Sequence, residues 1–411
     1  MTEQTATSQT ATLPKRDALS AHWTLDPAIV FLNHGSFGAT PRSVLDLQQD
    51  LRRRMEEEPV RFLVRELEPM LDAARGEVAA FLGAEPEDLV FVSNATAGVN
   101  AVLRSLDLDR HDELITTNHE YNASKNALEF AASLSGAKSV IVDLPFPVRS
   151  EEELLDPVLA AVTDRTRLVL IDHITSATGI ILPVARLIAE LSSRGIDTLV
   201  DGAHTAGMLP LHLGRLGAAY YTGNFHKWTC APKGAAFLYV RKNRRATVRP
   251  TSISHGANAE RADRSRFHLE FDWTGTVDPT PWLSVPESIR VVGAMIPGGW
   301  PAVMRRNHDL AIRGRDILCQ RLGIDHPAPD SMLGSMVAFP LPDGKPTAVP
   351  SLFGGDSLQD VLLEKYAIEV PVVHWPATPK RVLRISAQLY NSVEEYEYLA
   401  DALVTELRSG N

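Results

Sequence analysis

The chain reads as an α/β protein with a largely parallel sheet covered on both faces. Two observations predict this. Short apolar runs alternate with amphipathic helical patterns from about residue 89 to residue 240. The runs themselves, such as Leu-Val-Phe-Val and Leu-Val-Leu-Ile, are nearly continuous in apolar residues, as strands buried on both faces must be. A third observation sets the scale. At 411 residues and 44% hydrophobic content, the chain can bury one large and one small core.

Taken in order, LVFVSN (Leu89–Asn94) is a strand that runs into the helical ATAGVNAVLRSL. DELITTN (Asp112–Asn118) is a second strand, followed by the helical EYNASKNALEFAASLSG. SVIVDLP, RLVLIDHI and DTLVDGAH, beginning at Ser139, Arg167 and Asp197, continue the alternation. The amphipathic VARLIAELSSRG between the last two closes on Gly195. AAFLYVRK (Ala235–Lys242) is a further strand. Beyond it lies the Pro- and Gly-bearing IPGGWP, and short strands such as SMVAFPL and RVLRISAQLY mark a smaller C-terminal domain. The expected division is a flexible tail over 1–25, a large domain over 26–300 and a small domain over 301–411, with the N-terminal part contributing to the small one.

Composition narrows the partners. The net charge of −10 argues against a nucleic-acid backbone. No apolar run approaches the roughly 20 residues that cross a bilayer, and the polar, Thr-rich N-terminus lacks the apolar segment of a signal peptide. Two cysteines, Cys230 and Cys319, show neither CxxC nor metal spacing. A reducing cytoplasm, with no metal site, is the expectation.

In open α/β sheets, ligands sit beyond the carboxyl ends of the strands. That rule selects Asn94-Ala95-Thr96, Asn118-His119, Asp172-His173 and Asp201-Gly202-Ala203-His204. Lys227 follows in the segment GNFHKW, with room for one helix and one strand after Asp201. A desolvated lysine can form a Schiff base with an aldehyde. A carboxylate one strand away suits a protonated pyridine nitrogen, and the turn SNATAGVN offers helix N-terminal amides to an anion. Pyridoxal phosphate asks for these groups.

FLNHGSFGATP (Phe31–Pro41), EPVRFLVREL (Glu58–Leu67), DGAHTAG, GNFHKW and RISAQLYN (Arg384–Asn391) occur in one order along the chain. On these segments it resembles the class V aminotransferases among the fold-type I pyridoxal-phosphate enzymes, and most of all their isopenicillin-N epimerase branch. The resemblance implies a seven-stranded, mostly parallel sheet with a smaller α+β domain, and a homodimer with shared sites. It implies that Lys227 binds the cofactor, Asp201 pairs with the ring nitrogen and His204 bonds the ring's 3-oxygen. His119 would stack on the ring, with Tyr121 as the alternative for stacking or acid–base work. Ala95, Thr96, Asn224 and His226 would hold the phosphate, and Thr276 would reach the neighbouring subunit's. Arg384 would clamp the carboxylate of a small amino-acid substrate, with Asn33, His34 and Arg61 near the substrate mouth.

The reaction expected first is epimerisation at the α-carbon, with Tyr121, His119 or His34 as the second acid. A C–S β-lyase acting on cysteine conjugates comes next, then an aminotransferase. A pyridoxal-phosphate fold that binds without turnover is disfavoured by the retention of both Lys227 and Asp201. Persulfide chemistry is rejected, because EVPVVHWPATPKRVLRIS carries His374-Trp375 where a cysteine would be needed.

Overall fold

The computed structural model describes residues 13–345 and 355–410. Its strands are β1 (Val30–Phe31), β2 (Leu89–Val92), β3 (Glu113–Thr117), β4 (Lys138–Val142), β5 (Thr166–Asp172), β6 (Asp197–Asp201), β7 (Tyr220–Asn224), β8 (Ala236–Val240), β9 (Met336–Leu341), β10 (Ile368–Glu369), β11 (Val372–His374) and β12 (Arg381–Ser386). Seven of them form one sheet in the order β2-β8-β7-β6-β5-β3-β4. Only β8 runs antiparallel to its neighbours.

The apolar runs are explained by the period of two along a strand. Leu168, Leu170 and Leu199 join the core beneath helices Ala95–Leu103 and Asn122–Ser135. Val169, Ile171 and Val200 face the other way, into the core shared with helices Leu67–Leu82 and Val184–Ser193. The middle of β5 and of β6 therefore needs apolar residues on both faces.

The smaller unit is built on the antiparallel sheet β11-β12-β9. Helices Gly299–Leu322 and Val393–Arg408 share its core through Ala311, Leu318, Leu399 and Leu403. β1 pairs in parallel with β10, Val30 opposite Ile368 and Phe31 opposite Glu369. The stretch expected to be a tail up to residue 25 is packed from residue 13 onward. Trp23 is 1% exposed and meets the Tyr390 ring edge-on at 5.2 Å. Arg306 also pairs with Asp17 at 2.7 Å. An indole that can bury this much apolar area holds its segment down.

Candidate active site

β2, β5, β6 and β7 run in one direction, so their carboxyl ends open on the same side. Asn94, Asp172, Asp201 and Asn224 stand there and line a cavity of about 370 Å³. Ser36, Phe37, Ala95, Thr96, Tyr121, Ser176, Ala203, His204, His226 and Lys227 complete the wall.

Lys227 lies three residues beyond the end of β7. Its Nζ is 3.1 Å from His204 Nε2, and His204 Nδ1 accepts the Trp228 indole N–H at 3.3 Å. Burial, then the nearby Arg384 charge, pushes the Lys227 amine down to about 8 against the pull of Asp201 and Asp172. A lysine shifted this far reaches its neutral, acceptor form at a lower pH than an exposed one. The short helix His34–Phe37 that carries Ser36 ends at Gly38 against the lysine backbone. There Gly38 has φ +70°, and a Cβ on it would lie 2.2 Å from the His226 carbonyl oxygen, so only glycine permits the approach.

Asp201 is buried and bonded on both oxygens: Oδ1 accepts the Ala203 N–H at 3.0 Å and Oδ2 the Ser124 hydroxyl at 2.8 Å. Register places Asp172 of β5 directly opposite Asp201 of β6. Glu120 completes a buried group of three carboxylates with oxygens within 4.8 Å. Three such charges cannot all persist in a dry site. Burial and mutual repulsion accordingly hold Glu120 and Asp172 well above the usual carboxylate range.

The opposite wall can seat an anion. Asn94 caps helix Ala95–Leu103 by accepting the Ala97 N–H at 2.8 Å. Asn224 Oδ1 accepts the Ala95 N–H at 2.8 Å, fixing the turn to β7. The amide of Thr96, second in the helix, has no intrahelical partner by position. His226 donates from Nδ1 to the Ala235 carbonyl at 3.1 Å, leaving Nε2 for another bond.

Arg384 is buried and does not itself line the cavity, but it is bonded to Ser36 and Ser176, which do. It donates from Nη1 to the Ser176 carbonyl and from Nη2 to Ser36 Oγ at 3.1 Å, while its Nε has no hydrogen-bond partner among the described residues. Burial pushes the guanidinium down to about 10.

Several expected site residues stand elsewhere. His119 does not line the cavity. Its ring bonds Thr178 Oγ1 at 2.8 Å and the Leu144 carbonyl at 3.3 Å and packs against Trp375 at 4.5 Å. Tyr121, two residues on, points away from that core and takes the cavity wall. His34 is fully buried between the Tyr390 hydroxyl at 2.8 Å and the Lys227 carbonyl at 2.9 Å. It braces the lysine backbone and does not reach the mouth. Asn33 bonds Glu369 at 2.9 Å and accepts from Ser36. Arg61 is exposed and paired with Glu66 at 2.6 Å. Thr276 is exposed and outside the cavity. Cys230 is buried against His34, its thiol pushed up to about 12 by burial.

Sequence reasoning missed Ser36, Ser176, Ser124, Glu120 and Trp228. Ser124, in the first turn of helix Asn122–Ser135, and Glu120, between His119 and Tyr121, lay in a segment already singled out. Nothing local in the sequence shows that they face Asp201.

The donor set fits pyridoxal phosphate. A buried amine of lowered pKa, a buried carboxylate with both oxygens positioned, and a helix N-terminus with an open amide share one cavity. Comparisons with known proteins agree. The aminotransferase class-V model matches residues 30–399. Isopenicillin N epimerase of Streptomyces clavuligerus is 37% identical, over 92% of this chain and 95% of that protein. A probable chloroplastic L-cysteine desulfhydrase of Arabidopsis thaliana is 32% identical, over 94% and 84%. The apo cysteine desulfurase of Thermococcus onnurineus NA1 superposes with a TM-score of 0.76 at 21% identity, over 97% and 100%, a likeness of fold. The chain therefore belongs to the aminotransferase class-V family of fold-type I enzymes, and its cofactor is pyridoxal 5′-phosphate.

Proposed function

We propose that this enzyme removes and returns the α-proton of an amino-acid-type substrate with inversion, as an epimerase or racemase. The observation that carries this reading is that two proton-handling groups, Lys227 and Tyr121, line one cavity that, among the described residues, no cysteine lines. The likeness to the isopenicillin N epimerase of Streptomyces clavuligerus supports it.

When bound, the cofactor supplies an electron sink that makes the α-proton of an attached amino acid acidic. Asn94, Thr96, Asn224 and His226 would seat its phosphate. Asp201, held by Ser124 and Ala203, would keep the ring nitrogen protonated. Arg384 would bind the substrate carboxylate through its fork. Lys227 Nζ would take the α-proton, and the Tyr121 hydroxyl would return one. With His119 in the core, Tyr121 also inherits the role of packing against the ring.

A C–S lyase is the second reading, favoured by the desulfhydrase relative. It needs only Lys227 as base, followed by loss of the β-substituent. Transamination ranks third. The working unit is proposed to be a homodimer, because exposed Thr276 and Arg61 would then face the partner's cavity.

Incubation of holoenzyme in heavy water with L-amino acids and cysteine S-conjugates, followed by proton NMR, tests the reading. Loss of the α-proton signal with an intact carbon skeleton and appearance of the opposite configuration is the expected result. Pyruvate and ammonia from an S-conjugate would overturn it in favour of the lyase.

A further inference from the structure

Trp228 has no part in the roles assigned above, yet its indole N–H points at His204 Nδ1 at 3.3 Å. An indole N–H only donates, so Nδ1 must be the accepting nitrogen of that ring. His204 is fully buried, and burial with the charges of Lys227, Arg384 and His226 around it holds the imidazole well below its ordinary range. The ring is neutral, and its one proton is therefore on Nε2. That N–H lies 3.1 Å from Lys227 Nζ. An ammonium has three donors and no acceptor, so a donor facing it finds nothing to bond. The contact is satisfied only when Lys227 is the free amine.

We propose that Trp228 is a positioning residue whose indole fixes the Nε2–H tautomer of His204 and, through it, keeps the Lys227 amine as an acceptor, ready for the cofactor aldehyde. Direction distinguishes this relay from a general effect of burial. The other tautomer would put Nδ1–H against the indole N–H and turn Nε2 into an acceptor that favours the ammonium. The remaining charged or titratable groups around the pair do not supply this direction. Asp201 and Asp172 at the strand ends favour the ammonium, Arg384 of β12 opposes it, and His226 and His34 lie beside His204. Trp228 is buried among Ile174, Met208 and Met336, so the indole is held in place by packing that does not involve the cofactor.

The inference rests on Lys227 being the lysine that the cofactor aldehyde takes. Loss of covalent cofactor in Lys227→Ala tests that premise separately. Two measurements on the apoenzyme test the relay. In ¹⁵N-histidine spectra of the wild type, the His204 signal, assigned by its loss in His204→Gln, should show Nε2 protonated and Nδ1 bare. The reverse tautomer would overturn the proposal whatever any variant does. In Trp228→Phe, which keeps an aromatic ring but no donor, the pH midpoint for condensation of the amine with pyridoxal 5′-phosphate, with loss of water, should rise by about one unit. That makes capture roughly tenfold slower at a fixed pH below both midpoints. An unchanged midpoint in a variant that melts like the wild type would also overturn the proposal. Should Trp228→Phe fail to fold, the wild-type spectrum decides alone.

Discussion

Single side chains in this cavity are set by burial more than by contact with solvent charge. Lys227 shows the sign of the effect. Its amine titrates near 8 in the folded protein and near 10.5 in the unfolded chain. Between these values only the unfolded chain binds the proton, so this group makes the apoprotein more stable as pH rises through that window. Lys227→Met should flatten that part of the stability profile, as read from urea midpoints of wild type and variant across it. Arg384 illustrates geometry. Its fork is already held by Ser36 and Ser176, and a lysine cannot reproduce it. Arg384→Lys should lower kcat/KM by roughly tenfold to a hundredfold, the ~1.5–3 kcal/mol of a charged hydrogen bond, with the cofactor's absorbance retained. An unchanged kcat/KM would remove Arg384 from substrate binding.

Among the elements, helix Ala95–Leu103 matters most, because its N-terminus forms one wall of the cavity. It lies close to β7 because residue 98 is glycine. A Cβ there would stand 2.2 Å from Thr222 Oγ1, and Thr222 is itself tied to the Phe237 carbonyl at 2.8 Å. Gly98→Ala gains up to about 1 kcal/mol of helix propensity but incurs an overpacking cost of about 1–3 kcal/mol. The clash wins. The helix must shift from β7 and take its first-turn amides with it. The expected outcome is a lower apoprotein Tm together with weaker cofactor retention on dialysis. A higher Tm would show that the close approach is not under strain. The helix, its N-terminus and the strand before it were all legible in the sequence as Leu-Val-Phe-Val-Ser-Asn followed by a helical pattern. The clamp by Asn224 was not, since it joins residues 129 apart in sequence.

At the scale of the whole molecule, the N-terminal segment packs against residues far along the chain: β1 pairs with β10, and Trp23 packs on Tyr390 while its indole N–H donates to the Ala39 carbonyl. Apolar surface remains outside these contacts. Val60 is 62% exposed and Val64 72%, beside Arg61, a composition that suits a face between subunits. In the proposed homodimer, Val64→Asp should shift sedimentation toward the monomer while the melting curve keeps its cooperativity. A wild type that sediments as a monomer at all concentrations would sink the shared-site reading.

Taken alone, the sequence determined the alternation of strands and helices, the parallel sheet, and the placement of Asp201 at a strand end with Lys227 one helix and one strand further on. These follow from local periodicity, since a strand buried on both faces must be apolar throughout and must become polar where it leaves the core. It also excluded a cysteine from the loop before Arg384. Tertiary structure alone decided where the side chains around them point. His34 is turned inward by Tyr390, 356 residues away, and His119 by Thr178 and Trp375, which leaves the wall to Tyr121. Asp172 meets Asp201 through strand register and Glu120 joins them from the turn after β3, and the His204 tautomer follows from an indole beyond the lysine. Such directions depend on partners brought together by packing, and no periodicity along the chain encodes them.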